Sequence, residues 1–332
     1  MKKRALICSV FLAVGILMIA GTIQAKTYKI SHVRPQGTAI DNDLSWFSEK
    51  LAEVSGGNIK TKLYPASALG DYSIVQERIG LGAVDMACQP PASAADKRFQ
   101  LVYFPYMMKN WEQARKNYSP GAPIRKVVAE LYAEQNIVLL AAWPVYFGGI
   151  AFNTEVKDYG NPDVAKGVKL RVPPMKTFQL LADTTGYLGT PIPFSDAFTA
   201  VQTGVVDGVI GSGAEGYYSS FRDVTKFYLP SNTHFEVWYL IMSKKAYDKL
   251  SDDAKKQVQD VANQFEERRW EVAEGDQKAN EKRLADYGAT ILEISPEEIA
   301  ANADKVREVV WPQILEDVGQ EWAQKVLDSI VE

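Results

Sequence analysis

The sequence predicts an α/β fold assembled from parallel strand–helix–strand units. Two separate stretches, residues 28–88 and 167–208, each read as strand, helix, strand, helix, strand, which is the pattern of a parallel sheet covered by helices. Without residues 1–25, which have the pattern of a signal peptide, 332 − 25 = 307 residues remain, enough for one large or two medium α/β domains. Because ligands bind such sheets at the carboxyl ends of the strands, the residues that follow each strand are the first candidates for a site.

The first stretch has recognisable helix signals. Asp41 is placed to cap the first helix, which is expected to end at Gly56 and Gly57. Asp71 begins the second helix, which runs through Leu81. The strands that alternate with these helices are predicted at residues 28–33, 59–64 and 84–88.

The middle of the chain combines an amphipathic segment at residues 111–134 with an apolar strand at 137–142. The aromatic and glycine-rich run at residues 143–149 is typical either of a shaped surface or of a core, and the pattern does not decide between them. The remaining strands are predicted at residues 150–153, 168–172, 189–193, 205–210, 224–229 and 235–242, and the helices of the central unit at 175–185 and 195–203.

The longest element is a helix predicted from Ser251 to Tyr287. Ser251 is a good cap, Asp252 and Asp253 favour the first turn, and Gly288 ends the pattern. A helix of roughly 36 residues would be about 54 Å long, which exceeds one small domain, so it must span two lobes or brace them. A short strand at residues 289–294 and a last helical region at 296–331 follow.

The N-terminus predicts export. Three basic residues precede an apolar run at residues 5–19 and a small-residue cleavage point after Ala25, which is typical of a signal peptide at residues 1–25. The alternative is an uncleaved anchor, but the run is short for a spanning helix of roughly 20 apolar residues. Cleavage would change the net charge from 37 − 41 = −4 to 34 − 41 = −7. An acidic chain without a basic block argues against nucleic acid and anionic membrane surfaces as partners.

The residues of a catalytic or metal site are not evident. The two histidines, His32 and His234, lie far apart without ligand spacing, and the mature chain would keep one cysteine, Cys88. Ser212 lacks the preceding glycine of a nucleophile elbow, because that position is Ile210. We therefore expect neither a cofactor nor a metal, and no enzyme activity.

Binding chemistry is better supported. Arg171 ends an apolar strand and precedes two prolines, and a guanidinium can hold a carboxylate or another oxyanion with two parallel hydrogen bonds. The alternative is a surface arginine paired with a nearby acid such as Asp207. Phe194 is either a wall of the pocket or a hydrophobic staple for the helix that follows it.

The central stretch resembles the DctP family, the extracytoplasmic solute-binding proteins of tripartite ATP-independent periplasmic (TRAP) transporters. The likeness rests on Gly167, Lys169, Arg171 and Val172, on the run at residues 188–193, and on the run at 200–208. Residues 28–33, 64–70 and 82–86 resemble the N-terminal blocks of the family in the same order, so the resemblance covers nearly the whole mature chain.

The resemblance implies a two-lobed periplasmic-binding-protein-like fold with a hinge and a long lobe-spanning helix. The lobes are expected at residues 26–149 plus 237–277 (the first lobe) and 150–236 plus 278–332 (the second lobe). It also implies that Arg171 forms a bidentate contact to the carboxylate of the ligand and that Phe194 covers the ligand. Two positions depart from the family: Gly211 stands where an asparagine usually contacts the ligand, and residues 149–151 carry no charge where many members have a second cation.

These departures favour a small monoanion, either a carboxylate or a sulfonate such as isethionate or taurine, over a dicarboxylate or sialic acid. The function expected is a periplasmic, monomeric solute-binding subunit that delivers its ligand to the membrane permease subunits. The alternatives are a C4-dicarboxylate or sugar-acid binding protein of the same family, the binding component of another importer class, the ligand domain of a sensor, and a periplasmic enzyme. The candidate ligand-binding residues are Arg34, Gln89, Ser93, Trp143, Tyr146, Phe147, Arg171, Phe194, Gly211, Ser212, Glu215 and Trp238.

Overall fold

The computed structural model describes residues 26–331 and contains two β-sheets, each covered by helices. The predicted signal peptide and its cleavage point lie outside the described residues. Each sheet forms the centre of one lobe, so the α/β class and the two-lobed architecture predicted from the sequence are confirmed.

The sheet of the first lobe has the strand order β2-β1-β3-β10-β4. Its first three strands are parallel, as predicted, whereas β10 runs antiparallel to both β3 and β4. The strands are β1 (Lys26–Ser31), β2 (Ile59–Tyr64), β3 (Met86–Gln89), β4 (Ile137–Phe147) and β10 (Phe235–Ser243).

The sheet of the second lobe has the order β11-β9-β5-β8-β6-β7. Strand β6 is parallel to its neighbours β7 and β8, which is the parallel unit predicted at residues 167–208. The strands are β5 (Gly149–Phe152), β6 (Lys169–Val172), β7 (Leu188–Pro191), β8 (Gly208–Ser212), β9 (Phe227–Leu229) and β11 (Thr290–Ile291).

The helices follow the predicted order with some corrections. The amphipathic segment at residues 111–134 forms two helices, and the C-terminal helical region breaks at Gly319, whose φ of 103° suits glycine. The α-helices are α1 (Ala39–Val54), α2 (Tyr72–Gly80), α3 (Trp111–Tyr118), α4 (Pro123–Glu134), α5 (Lys176–Thr184), α6 (Phe194–Gln202), α7 (Ala214–Gly216), α8 (Lys244–Tyr247), α9 (Asp252–Tyr287), α10 (Pro296–Val318) and α11 (Gln320–Asp328), with a 3₁₀ helix at Lys97–Tyr103 and a π-helical turn at Tyr217–Phe221.

The predicted caps are partly confirmed. Asp71 accepts a hydrogen bond from Ser73 N at 3.1 Å and caps α2. Asp41 is not the cap of α1, because the helix begins two residues earlier. Its carboxylate instead accepts from Gly37 N at 2.8 Å and lies 3.0 Å from Nε2 of the buried His32. It therefore ties the start of α1 to the end of β1.

Two crossings of the chain connect the lobes. Strand β4 leads through Gly148 into β5, and the segment at residues 230–234 leads from β9 back into β10. Gly148 and the 230–234 segment exchange backbone hydrogen bonds, from Gly148 N to His234 O at 2.8 Å and from Thr233 N to Gly148 O at 2.9 Å. A Cβ on Gly148 would lie 2.2 Å from Cε1 of His234, so only glycine allows the two crossings to touch. This contact lies where the two lobes join.

Helix α9 is the long helix that the sequence predicts. It has 36 residues, Ser251 accepts from Ala254 N at 3.2 Å, and Gly288 ends it with a φ of 116°. The helix packs on β4 and α1 of the first lobe and on α7 and β11 of the second, so it spans both lobes. Helix α10 also packs on both lobes, through α5 and the 3₁₀ helix, and α11 packs on α4. The lobe boundaries predicted from the sequence, including the assignment of residues 278–332 to the second lobe, stay predictions. Between residues 26 and 331 no helix has both the length and the apolar character needed to cross a membrane.

Candidate functional site

A cavity of about 30 Å³ lies between the lobes, where strands of both sheets end. Arg34 follows β1 and Pro90 follows β3 in the first lobe. In the second lobe, Arg171 is the next-to-last residue of β6, and Gly211 is the next-to-last residue of β8. These are carboxyl ends of parallel strands, where ligand sites of α/β proteins form. The cavity is lined by Val33, Arg34, Tyr72, Pro90, Tyr103, Tyr146, Arg171, Pro173, Met175, Phe178, Phe194, Gly211, Ser212, Glu236 and Trp238.

Arg171 is a buried cation, with 1% of its surface exposed. Its Nε donates to Ile192 O at 2.8 Å, which holds the guanidinium against the end of β7. Burial lowers the pKa of Arg171, although a guanidinium remains charged under ordinary conditions. Within residues 26–331 no carboxylate lies within ion-pair distance of it, and Asp207, the alternative partner, accepts from Lys169 N instead. The surface ion pair considered from the sequence is therefore wrong.

Phe194 faces both arginines of the cavity. The guanidinium carbon of Arg171 lies 5.7 Å from the centre of its ring, and that of Arg34 lies 5.0 Å from it. The ring packs edge-on against Phe221. Since Phe194 is the first residue of α6 and Pro193 is the cap, it does not occupy the position of a hydrophobic staple. Its place at the cavity agrees with the alternative of a pocket wall.

Arg34 is paired inside the protein. Its Nε and Nη2 donate to Oε2 of Glu215 at 3.0 and 2.9 Å. Burial by itself would lower the pKa of Arg34, but the neighbouring acidic groups, Glu215 foremost with Tyr146 and Glu236, together outweigh that effect and raise it. Arg34 also lies over the Trp238 ring, 4.9 Å from its centre. Glu215 thus pairs with Arg34 but does not itself line the cavity.

Gly211 is required by the local packing. Its φ is 92°, and a Cβ there would lie 2.5 Å from Cγ of Pro173. An asparagine at this position would meet both a strained backbone and the Pro173 ring. Glycine at this position therefore suits both the backbone and the close approach of the Pro173 ring.

Glu236 is a charged residue of the cavity that sequence reasoning missed. Its side chain is buried, and its carboxylate accepts from Trp238 Nε1 at 2.6 Å and contacts His234 Nε2 at 3.1 Å. It is the one charged residue in the strand β10, which is otherwise apolar apart from its last residue, Ser243. A buried charge in such a strand needs partners, and that contrast is the signal that could have identified it.

Three tyrosines complete the wall. Burial raises the pKa of Tyr72, Tyr103 and Tyr146, so these side chains are neutral hydroxyls. The Tyr103 hydroxyl is buried without a hydrogen-bond partner, which leaves it free to bind a ligand. Tyr146 was predicted, whereas Tyr72 and Tyr103 were not, because they come from α2 and the 3₁₀ helix rather than from a strand end.

The other predicted residues lie outside the cavity wall. Gln89 is buried and donates to Tyr72 O at 2.7 Å. Trp143 stacks on Trp238 and donates to Asp43 at 2.8 Å, and Phe147 packs on Phe235 and Trp111. Ser93 lies in the partly exposed turn after β3. These positions correct the expectation that all the aromatic residues at 143–147 face the ligand, because successive side chains of a strand point to opposite faces. In the described part of the chain, no group of three or more histidine, cysteine, aspartate or glutamate side chains is placed to hold a metal.

Two α/β lobes with a hinge and a buried, unpaired cation between them define a solute-binding protein. The family model of the DctP family, described as bacterial extracellular solute-binding protein, family 7, matches residues 30–317. The chain belongs to this family, whose members are periplasmic and serve TRAP transporters together with membrane permease subunits.

Individual relatives resemble this chain over most of its length. A solute-binding protein of Albidiferax ferrireducens is 27% identical, over 87% of this chain and 86% of its own length. The C4-dicarboxylate-binding periplasmic protein DctP of Rhodobacter capsulatus is 25% identical, over 90% and 86%. The crystal structure of the sugar acid binding protein DctPAm of Advenella mimigardefordensis, in complex with galactonate, has a TM-score of 0.85 at 21% identity and covers 92% of this chain and 97% of that chain. At this identity the structural likeness establishes the fold.

Proposed function

We propose that this protein captures a small organic anion, a carboxylate or a sulfonate, through a bidentate contact to Arg171 and delivers it to a TRAP permease. The observation that carries the proposal is the Arg171 guanidinium, buried at the cavity without an acidic partner among residues 26–331. An uncompensated buried charge is costly, and a ligand oxyanion would compensate it with two charge-assisted hydrogen bonds. We propose Phe194, Tyr146, Ser212 and Trp238 as the other contacts.

The cavity supports a small ligand with one negative charge. Its volume of about 30 Å³ favours a small ligand over a large one. Glu215 neutralises Arg34, so Arg171 is the cation left for the ligand. The second candidate is a dicarboxylate or sugar acid, which the relatives that bind C4-dicarboxylates and galactonate favour. Such a ligand would require the lobes to open further.

The proposed mechanism is hinge closure and involves no catalysis. The cavity takes residues from both lobes, so a bound anion contacts both and stabilises the closed arrangement by its higher affinity for it. Opening at Gly148 and the 230–234 segment would release the anion to the permease. A monomer suffices for this cycle.

The test is a thermal-shift and calorimetric screen of the mature chain against short carboxylates, sulfonates, dicarboxylates and sugar acids, with Arg171→Lys in parallel. A ligand at 100 times its Kd stabilises by about 2.7 kcal/mol, a shift of several degrees. Arg171→Lys is expected to weaken binding at least tenfold because lysine cannot form the bidentate pair. Arg125→Lys is the matched control, since Arg125 is also buried but pairs with Glu266 outside the cavity. An Arg171→Lys protein that binds like wild type would contradict the proposed role of Arg171. Chemical conversion of a candidate ligand by the purified protein would instead indicate that the protein is an enzyme.

A further inference from the structure

We propose that the ligand is a short zwitterion, with its carboxylate or sulfonate on Arg171 and a protonated amine on Glu236. This inference rests on the proposed function and names the class of ligand more narrowly. It predicts that a short amino acid or aminosulfonate binds in preference to the hydroxy acid of the same shape.

Glu236 is a second charged residue of the cavity that has no lysine or arginine partner within residues 26–331. It lines the wall, has 4% of its surface exposed, and accepts hydrogen bonds from Trp238 Nε1 and His234 Nε2. In the described chain no lysine or arginine lies within ion-pair distance of it. A carboxylate offers about four acceptor positions, so two remain for a ligand donor.

His234 can make its observed contacts without carrying a positive charge. Its Nδ1 lies 2.9 Å from Oγ1 of Thr233, a hydroxyl that can donate to it. In the neutral tautomer Nε2–H donates to Glu236 and Nδ1 accepts from Thr233, so one proton satisfies both contacts. The rings of Phe178, Tyr103 and Tyr146 surround the imidazole on other sides and carry no charge.

Of the four charged residues at the site, Arg34 and Glu215 form an ion pair with each other, whereas Arg171 and Glu236 do not belong to such a pair. Arg34 and Glu215 compensate each other with three contacts of 2.9–3.3 Å. Arg171 and Glu236 have no ionic partner of this kind, and both act on the same hydroxyl, that of Tyr72: besides the larger effect of burial, Arg171 lowers its pKa and Glu236 raises it. Opposite charges on two sides of one cavity are complementary to a ligand that has a negative charge at one end and a positive charge at the other. A simple anion would satisfy Arg171 and leave the Glu236 carboxylate unpaired in a site of low dielectric.

The unpartnered hydroxyl of Tyr103 adds an independent observation. It is buried at the same wall, and Glu236 raises its pKa in addition to burial. A neutral hydroxyl next to a carboxylate can accept a hydrogen bond from an ammonium group and donate one to an oxyanion. Because the cavity is small, we expect a short chain between the two charged ends of the ligand, as in taurine or β-alanine.

The experiment compares matched pairs by calorimetry at pH 7.5 with metal-free protein: taurine with isethionate, and β-alanine with 3-hydroxypropionate. In each pair an ammonium replaces a hydroxyl and the number of heavy atoms is the same. Wild type is expected to bind the amine of at least one pair tenfold more tightly or better. Glu236→Gln should reduce this ratio to about one, since His234 can change tautomer to suit the amide. Glu266→Gln is the matched control, because Glu266 is buried outside the cavity and the ratio should be unchanged.

The other outcomes are distinguishable. If the hydroxy acids bind as tightly as the amines, the proposal of a zwitterionic ligand is overturned, but the proposed function is not. The same conclusion follows if only sugar acids or dicarboxylates bind. Anion binding that appears only when a metal cation is restored would assign Glu236 to that cation and also overturn the inference. Failure of every acid in both panels would remove the proposed function and this inference together. If Glu236→Gln does not fold by circular dichroism, the ratio in wild type alone decides.

Discussion

Arg34 and Glu215 form a bidentate ion pair between the two lobes, with Nε and Nη2 of Arg34 at 3.0 and 2.9 Å from Oε2 of Glu215. Arg34 follows β1 of the first lobe and Glu215 lies in α7 of the second. Both side chains are almost fully buried. The pair therefore joins the lobes beside the cavity and removes one of its two positive charges.

Glu215→Gln is expected to lower the free energy of unfolding by about 3–5 kcal/mol, because it leaves the Arg34 cation buried without its partner. The variant should also bind dicarboxylates better relative to monoanions, since a second free cation becomes available. Chemical denaturation and calorimetry check both effects. Asp286→Asn, which breaks the exposed Lys282–Asp286 pair of α9, should change stability by no more than about 0.5 kcal/mol. Equal losses in the two variants would contradict the importance of the buried pair.

Gly211→Asn introduces the asparagine that the family resemblance predicts at this position and is expected to destabilise this chain by about 1–3 kcal/mol. The reason is the φ of 92° together with a Cβ position 2.5 Å from Cγ of Pro173. Thermal unfolding measures the loss. Gly204→Asn is the control, because Gly204 has a φ of 75° with open space around it, and asparagine tolerates this region. A stable Gly211→Asn protein with improved ligand binding would show that Pro173 moves aside.

Gly148→Ala is expected to hold the lobes apart, because the added methyl group would overlap the imidazole of His234 in the closed arrangement. Small-angle X-ray scattering should show a larger radius of gyration, and ligand affinity should fall at least tenfold as the closed form becomes rarer. Gly275→Ala in α9 meets no neighbouring atom and should stabilise the protein by about 0.5–1 kcal/mol without changing its shape. Unchanged scattering and affinity in Gly148→Ala would place the hinge elsewhere.

Tyr103→Phe should stabilise the ligand-free protein by about 1 kcal/mol, because it removes a buried hydroxyl that has no partner. It should also weaken ligand binding, since Tyr103 lines the cavity. Tyr132→Phe is matched to it: the Tyr132 hydroxyl is likewise buried and unpartnered but lies outside the cavity wall. A similar gain in stability with unchanged affinity is expected there. Tyr103→Phe with full affinity would show that the ligand does not use the hydroxyl.

Cys88 is expected to resist alkylation by iodoacetamide in the folded protein at pH 8. Burial raises the pKa of its thiol well above 9.0, and the Asp43 carboxylate adds to this effect, so the reactive thiolate is rare. Because the pKa is raised in the folded state, the stabilising contribution is complete below about pH 9 and is lost as the pH rises above it. Stability of wild type should therefore fall relative to Cys88→Ala above pH 9. Rapid alkylation without unfolding would contradict the burial of the thiol.

Features set by neighbouring residues could be predicted from the sequence. The length of α9 follows from its apolar period, its Ser251 cap and the Gly288 stop, all of which act within a turn or two of the helix. The place of Arg171 at the end of β6 follows in the same way from a short apolar strand and the prolines after it. The crossing of β4 into the second sheet was not visible, because no local signal distinguishes a strand that ends from one that changes sheets.

The charge balance of the cavity was decided only by the tertiary structure. Arg34 meets Glu215 across 181 residues of sequence, and Glu236 reaches the wall because β10 inserts between β3 and β4. The pairing of two residues that lie far apart in the chain leaves no local signal in the sequence, such as an apolar period or a helix cap. It depends on how the two sheets face each other. By itself the sequence determined the fold, the long helix and the cation that ends β6. The packing of the lobes decided that one arginine is compensated, that the other has no acidic partner within residues 26–331, and that a carboxylate lines the same cavity.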